Sequence, residues 1–184
     1  MATQVKSVAQ AQAQHSEPSF MLYGRVAAGG AGNVSWPDPP DLHFSLVITD
    51  AYNGITVIDG QPTLMEAGFR NLGLIQTNRY NNTLPDKVVV RIPLPPPEQM
   101  SAQEFARKLI ERSRNFSSYV APYALPENIR GSRMRPGQYN SSSYIAGLLK
   151  SVIGHVPVIS TPNYQKPGWE SPLPEHFFKG EAMR

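Results

Sequence analysis

Four residues of this chain have the types and positions that acyl-transfer chemistry needs: His43, Asp59, Gln61 and Ser141. A serine hydroxyl attacks a carbonyl only when a general base, usually histidine, takes its proton. That base in turn needs a polar side chain to orient its ring. His43 is the candidate base, Asp59 or Gln61 its orienting partner, and Ser141 the candidate nucleophile. The segments that carry these residues decide whether they can meet.

Ser141 lies at the predicted start of an amphipathic helix. Apolar residues recur at helical spacing from Tyr144 to Ile153, and Gly154 follows as a stop signal. A hydroxyl at this end of a helix can cap a free backbone N–H, or it can act as a nucleophile that the helix dipole assists. Composition favours the cap, because serine and asparagine are the commonest residues there.

His43 and Asp59 fall on the two predicted strands of a β-hairpin, with turn-forming residues 50–54 between them. If all five form the loop, His43 lies opposite Gln61, and Asp59 shares its sheet face. If Asn53 and Gly54 alone form a two-residue turn, which their sequence favours, Asp59 faces away from His43. A triad requires the first register.

The remaining pattern predicts strands before helices, which is typical of an α+β fold. Strands are predicted over residues 20–26, 42–49, 55–59, 87–93 and 156–160, and helices from Ser101 and Ser141 onward. Thr63 to Glu66 fits a capping box that opens a short helix or turn, and residues 71–86 are predicted to be irregular. Residues 116–138 form a long loop, and loops of this length are usually functional.

Length and composition predict one domain over residues 19–184 behind a flexible tail at residues 1–18 that lacks the apolar core of a signal peptide. The net charge of +3 is too small to favour a nucleic-acid partner. No apolar run reaches the roughly 20 residues of a transmembrane helix. The absence of cysteine excludes disulfides and thiolate chemistry, and the four histidines lack metal-binding spacing. We therefore predict no metal and no cofactor.

The order of these features resembles that of the circularly permuted papain-like proteins, which include lecithin:retinol acyltransferase-like enzymes and cell-wall peptidases. The His43 strand (LHFSLVIT), the polar Asp59 that ends the next strand, and a much later Asn-nucleophile pair opening a helix carry the resemblance. Ser141 occupies the position of the family's cysteine. The chain is more similar still to bacterial toxin-type domains with an Asn-Ser-x-Ser-aromatic helix start, a helix ended by glycine, and a Pro-Gly-aromatic segment, here Pro167-Gly168-Trp169.

This resemblance implies a small antiparallel sheet packed against the nucleophile-bearing helix, and a hydrolase that acts on a peptide or acyl substrate, with peptidoglycan peptides as one candidate. It implies an oxyanion site at the N–H of Ser141, with Gln138, Tyr139 and Asn140 as further candidates. It also implies a bacterial effector with an immunity or secretion partner, either exported without a signal peptide or cytoplasmic. Two alternatives stay open: a catalytically inactive binding module of the same fold, in which serine replaces cysteine, and a lipid esterase or acyltransferase.

Overall fold

The structure is a computed structural model of the 184-residue chain. It describes residues 17–27, 39–52, 54–64, 72–81, 83–118, 121–124 and 134–180. The predicted flexible tail lies outside these residues, except for its last two, which have no regular secondary structure.

A five-stranded antiparallel sheet and two α-helices make up the described fold, so the predicted α+β class is confirmed. The strands are β1 (Ser19–Val26), β2 (Leu42–Thr49), β3 (Ile55–Leu64), β4 (Leu72–Asn81) and β5 (Val88–Pro93), and the helices are α1 (Ala102–Asn115) and α2 (Ser141–Ile153). A 3-10 turn, Glu175–Phe178, follows. The strands lie in the order β4-β3-β2-β1-β5, so β1, β2 and β3 are central.

The β2–β3 hairpin has the register that the triad requires. Thr49 pairs with Ile55, and Leu46 pairs with Ile58, so residues 50–54 form the five-residue loop. The Asp50 carboxylate accepts hydrogen bonds from the backbone N–H groups of Tyr52 and Gly54, each at 2.8 Å, and its own N–H donates to the Gly54 carbonyl. These bonds fix the wider loop, because the Asp50 side chain supplies an acceptor that a two-residue turn would not use.

Helix α2 packs on the apolar face of the central strands. Leu22, Leu46 and Ile58 form a fully buried row across β1, β2 and β3, and Ile145 and Leu148 of α2 are buried in the same core. A Cβ at Gly60 of β3 would lie 2.7 Å from the Cβ of Tyr144. Glycine at that position therefore allows the helix to approach the sheet closely.

Three sequence predictions about elements are wrong. The prediction that residues 71–86 are irregular is wrong for residues 72–81, which form β4 and pair with β3, whereas residues 83–86 form no helix or strand. Thr63 does not open a helix; it lies in β3, where its hydroxyl bonds to the N–H and the carbonyl of Leu74 at a register shift. Met65 and Glu66 lie outside the described residues. Residues 156–160 form no strand, since Val158 is fully exposed and the Pro157 carbonyl instead accepts a hydrogen bond from Trp169 Nε1.

The predicted helix ends are confirmed. Ser101 caps α1 by accepting a hydrogen bond from the N–H of Glu104, and α2 begins at the Asn-Ser run as expected. Gly154 ends α2 with a φ of 85°, and its N–H donates to the Lys150 carbonyl. That left-handed conformation strains any residue with a Cβ, which is why glycine is the usual stop signal.

Candidate functional site

His43 and Asp59 form a short hydrogen bond on the sheet face opposite the helices. His43 Nε2 lies 2.6 Å from Asp59 Oδ1, and the Asp59 side chain is buried. Both positions alternate with residues of the apolar row, which places their side chains on the other face. Because Nε2 faces Asp59, Nδ1 is the ring nitrogen left to accept a proton from a nucleophile.

The sequence left Asp59 and Gln61 as alternative partners of His43, and the hydrogen bond to Nε2 comes from Asp59. Extending the β2–β3 register places Gln61 opposite His43 on the same face, where it is half-buried. Gln61 also lies opposite Gln76 of β4. The arrangement therefore gives Asp59 the geometry of an orienting carboxylate.

Asp59 is also held on its other oxygen. Its Oδ2 accepts hydrogen bonds from Arg25 Nη2 at 3.1 Å and from the Ser45 hydroxyl at 3.3 Å. Arg25 lies directly opposite His43 in the β1–β2 pairing. Neither Arg25 nor Ser45 was singled out from the sequence, because the cluster exists only once three strands have paired.

Ser141 is not the cap of α2. The N-cap is Asn140, whose Oδ1 accepts a hydrogen bond from the backbone N–H of Ser143 at 3.0 Å. The Asn140 amide group donates to the carbonyl of Pro167 at 3.0 Å and contacts Met134 Sδ at 3.7 Å. Asn140 was a candidate for the oxyanion site, but these bonds commit its side chain to capping.

The two serines that follow Ser141 also have structural partners. The Ser142 hydroxyl donates to the carbonyl of Leu42 at 3.3 Å, and the Ser143 carbonyl accepts from the N–H of Leu173. Ser141 itself is neither the cap nor a partner in the hydrogen bonds to Leu42 of the sheet and Leu173 of the C-terminal segment. The hydroxyl of Ser141 therefore has a partner outside the cap, the sheet and the tail.

Tyr123 is the partner of Ser141, and the sequence analysis did not identify it. Burial raises the pKa of the Tyr123 phenol; hydrogen bonds from the hydroxyl and the backbone N–H of Ser141 oppose that rise, and the charge of Asp59 adds to it. The phenol therefore stays protonated at neutral pH and cannot be a general base there. The signal that could have found it is its place in the long loop at residues 116–138, which was predicted to be functional.

The backbone around Tyr123 is tied to the segment that precedes α2. Tyr123 forms an isolated bridge with Tyr139, and the N–H of Ala124 donates to the Tyr139 carbonyl at 2.8 Å. The N–H of Gln138 donates to the carbonyl of Arg135 in a turn. Gln138 and Tyr139 thus lie beside the start of α2, where the sequence predicted oxyanion donors.

The Pro167-Gly168-Trp169 segment packs on the N-terminus of α2. Pro167 accepts the hydrogen bond from the Asn140 amide, and a Cβ at Gly168 would lie 2.1 Å from Asn140 Oδ1. The Trp169 ring packs against Phe44 of β2, with ring centroids 5.1 Å apart. This segment therefore holds the cap of α2 against the strand that carries His43.

The start of α2 and the start of β2 are neighbours, because Ser142 bonds to the carbonyl of Leu42, the residue before His43. The charge of Asp59 also reaches Tyr123, the partner of Ser141. Among the hydrogen bonds of the described residues, none joins Ser141 to His43 directly. The structure thus yields two pairs, His43 with Asp59 and Ser141 with Tyr123, and the Asp59 charge acts on the second pair.

Within the described part of the chain, no group of three or more histidine, aspartate or glutamate residues is arranged to hold a metal ion. No helix of that part is long and apolar enough to cross a bilayer. Comparison of the chain with protein-family models, with curated proteins and with solved structures gives no match. The chemistry of the site must therefore be argued from its own geometry.

Proposed function

We propose that this protein is a hydrolase or acyltransferase for an amide or ester, with Ser141 as the nucleophile, His43 as the general base and Asp59 as the residue that orients His43. The observation that carries the proposal is the 2.6 Å hydrogen bond between His43 Nε2 and the buried Asp59. A carboxylate in that position selects the tautomer in which Nδ1 can accept a proton. The start of α2, which carries Ser141, is bonded through the Ser142 hydroxyl to the carbonyl of Leu42, the residue before His43.

The proposed reaction proceeds through an acyl-enzyme. Nδ1 of His43 takes the proton of the Ser141 hydroxyl while Oγ bonds to the substrate carbonyl carbon. The negative charge that develops on the carbonyl oxygen is stabilised by the N–H of Ser141 and by the dipole of α2. The imidazolium then protonates the leaving amine or alcohol, and a water molecule or an acceptor hydroxyl releases the acyl group.

The topology proposed for this enzyme is the permuted papain-like one. It is supported by the chain order of a His strand, a hairpin, an Asp strand and a later helix that packs on both strands. Peptidoglycan peptides are the substrate that the resemblance favours, and delivery as a bacterial effector with an immunity or secretion partner is its biological setting. A lipid ester is the other substrate class, so the substrate test must include both.

The test is covalent labelling of the native protein with a fluorophosphonate, which transfers its phosphorus to an activated serine with loss of fluoride. We expect mass spectrometry to find the label on Ser141, and we expect Ser141→Ala and His43→Ala each to abolish labelling. The double variant should lose no more than either single variant, because the two residues act as a unit. Labelling that is absent, or that persists in His43→Ala, would refute the assignment.

A thiol provides the second test. In Ser141→Cys, a cysteine at the N-terminus of α2 beside a histidine should ionise readily and react with iodoacetamide faster than a free thiol. Removing His43 from this variant should slow the reaction. Incubation of both the native protein and Ser141→Cys with peptidoglycan, phospholipid vesicles and candidate proteins, followed by mass spectrometry, would then identify the bond that is cleaved.

One observation favours a second function, an inactive binding module of the same fold. Tyr123 takes the hydrogen bonds of both the hydroxyl and the N–H of Ser141, the two groups that catalysis would need. In an enzyme, the Tyr123 phenol must release the Ser141 hydroxyl and N–H when the substrate binds. Tyr123→Phe lacks the phenol oxygen, so its Ser141 should react with the fluorophosphonate at least as fast as that of the native protein. In a binding module neither the native protein nor Tyr123→Phe should label.

A further inference from the structure

The two oxygens of Asp59 have different partners. Oδ1 lies 2.6 Å from His43 Nε2, whereas Oδ2 accepts from Arg25 Nη2 at 3.1 Å and from the Ser45 hydroxyl at 3.3 Å. A carboxylate that is held at Oδ2 from two sides cannot rotate about its χ2 angle without breaking both bonds. Its remaining oxygen is therefore fixed in the direction of the imidazole.

Arg25 reaches this carboxylate across an intervening strand. Arg25 is on β1 and Asp59 is on β3, with β2 between them. Neighbouring strands lie about 4.8 Å apart, so the side chains of Arg25 and Asp59 together must span roughly 10 Å. The guanidinium thus crosses β2 on the face that carries His43 and Ser45, and the small Ser45 side chain leaves room for it. The contact therefore needs a long cationic side chain.

The arrangement has a cost that a purely stabilising ion pair would avoid. The Nε–H of Arg25 is buried and has no hydrogen-bond partner within the described structure. Buried donors are nearly always satisfied, and each exception calls for an explanation. Here Arg25 Nη2 donates to Asp59 Oδ2, while the Nε–H is left without a hydrogen bond. The arginine is therefore oriented to hold the carboxylate, although this orientation leaves one of its own donors unsatisfied.

We infer that Arg25 is a positioning residue for the His43–Asp59 pair. By holding Oδ2 it turns Oδ1 to Nε2, and this fixes the tautomer and the ring orientation that present Nδ1 to the start of α2. The inference rests on the proposed function, and it assigns a role in that function to a residue that touches neither the nucleophile nor the substrate. The Ser45 hydroxyl supports the same oxygen from β2.

The first measurement concerns the imidazole alone and needs no activity. Long-range proton–nitrogen NMR reports which ring nitrogen carries the proton, and His43→Ala identifies the resonances of His43. We expect the native protein to show the Nε2–H tautomer. Arg25→Met should show a mixture of both tautomers, and Arg25→Lys, which keeps a long cation, should lie between the two.

The second measurement is the rate of fluorophosphonate labelling at pH 9, well above the ordinary imidazole pKa of about 6.5, so that a change in charge cannot be mistaken for misplacement. We expect Arg25→Met to label about tenfold more slowly or worse, because small misplacements of a catalytic group have large effects on rate. Arg25→Lys should recover part of the loss. The control is Arg91→Met, since Arg91 is an exposed arginine on β5 that packs over the Tyr23 ring.

The outcomes separate the two proposals. If the native protein does not label but Arg25→Met loses the Nε2–H tautomer, the proposed function fails and the positioning role stands as a structural one. If the native protein labels and Arg25→Met keeps both the tautomer and the rate, the positioning role is overturned. Should Arg25→Met fail to fold, Arg25→Lys decides alone, and a rate equal to that of Arg91→Met would overturn the inference.

Discussion

Asn140 Oδ1 lies 3.0 Å from the backbone nitrogen of Ser143, so the cap of α2 is the residue before Ser141 rather than Ser141 itself. From the sequence, the simplest interpretation of this helix start was that Ser141 is its cap. With Asn140 in that role, the hydroxyl of Ser141 makes no contribution to closing the helix end. The stability of the helix and the chemistry of its first residue can therefore be altered separately.

The first prediction compares these two neighbours. Asn140→Ala should lower the free energy of unfolding by about 2 kcal/mol, the upper end of the range for a lost cap, because the bond to the Pro167 carbonyl is lost as well. Ser141→Ala should cost less, about 1 kcal/mol, since it loses only the hydrogen bond to Tyr123 and alanine is the best helix former. Urea melts of both variants measure the difference. Equal losses would return Ser141 to the role of a cap.

The second prediction concerns Gly168, which has a φ of 85° and would place a Cβ 2.1 Å from Asn140 Oδ1. Gly168→Ala should cost more than about 2 kcal/mol, the upper limit for the left-handed conformation alone, because the clash adds to it. The matched control is Gly137→Ala: Gly137 has a φ of 78° and nothing within 4 Å of the added Cβ. A similar loss in both variants would mean that the cap tolerates the methyl group.

The third prediction tests whether α2 is a core element. Leu148 is completely buried, so Leu148→Ala should cost about 2–5 kcal/mol through the lost apolar contacts and the cavity left behind. Val158 is fully exposed, and Val158→Ala should stay within about 0.5 kcal/mol of the native protein in the same denaturant melts. A loss below about 0.5 kcal/mol for Leu148→Ala would make the helix peripheral.

The fourth prediction is a pH dependence. Burial raises the pKa of Tyr144 from 10.0 to about 12, although bonds to Ser113 and Thr77 oppose the rise. Between these pH values the unfolded chain has lost a proton that the folded chain keeps, so stability falls as the pH rises. At 1.36 kcal/mol per pH unit between the two pKa values, the Tyr144 contribution lost by pH 12 is on the order of 2 kcal/mol. The stability difference between the native protein and Tyr144→Phe should shrink by about that amount from pH 9 to pH 12; parallel curves would refute it.

The hairpin shows what the sequence could and could not decide. The alternation in β2 predicted its faces correctly, but two registers fitted residues 50–54. The Asn53-Gly54 sequence favoured the two-residue turn, whereas the observed pairing is the other register, which brings Asp59 to His43. The observed register is stabilised by the Asp50 side chain, which accepts hydrogen bonds from the N–H groups of Tyr52 and Gly54 inside the loop. Such side chain-to-backbone bonds depend on a rotamer, which a pattern of residue types does not specify.

Two omissions have a different cause. Strand β4 was missed because, of the side chains described in it, only Ile75 is a buried apolar residue. An edge strand can form through backbone bonds to its neighbour without an alternating pattern. Tyr123 was missed because its contact with Ser141 depends on how a loop lies against the start of α2. No spacing along the chain contains that information, whereas local patterns did place His43 on a strand and Ser141 at the start of a helix.

The hydrogen bond from Ser142 to Leu42 joins residues 100 positions apart, and this has a consequence for the order in which the chain folds. The central strands leave the ribosome long before α2, so their apolar face, with Phe44, Leu46 and Ile58, is uncovered until the helix arrives. Newly made chains are prone to aggregate through such surfaces. We expect chains stalled before residue 141 to require a chaperone in coupled translation, while chains released at full length should not.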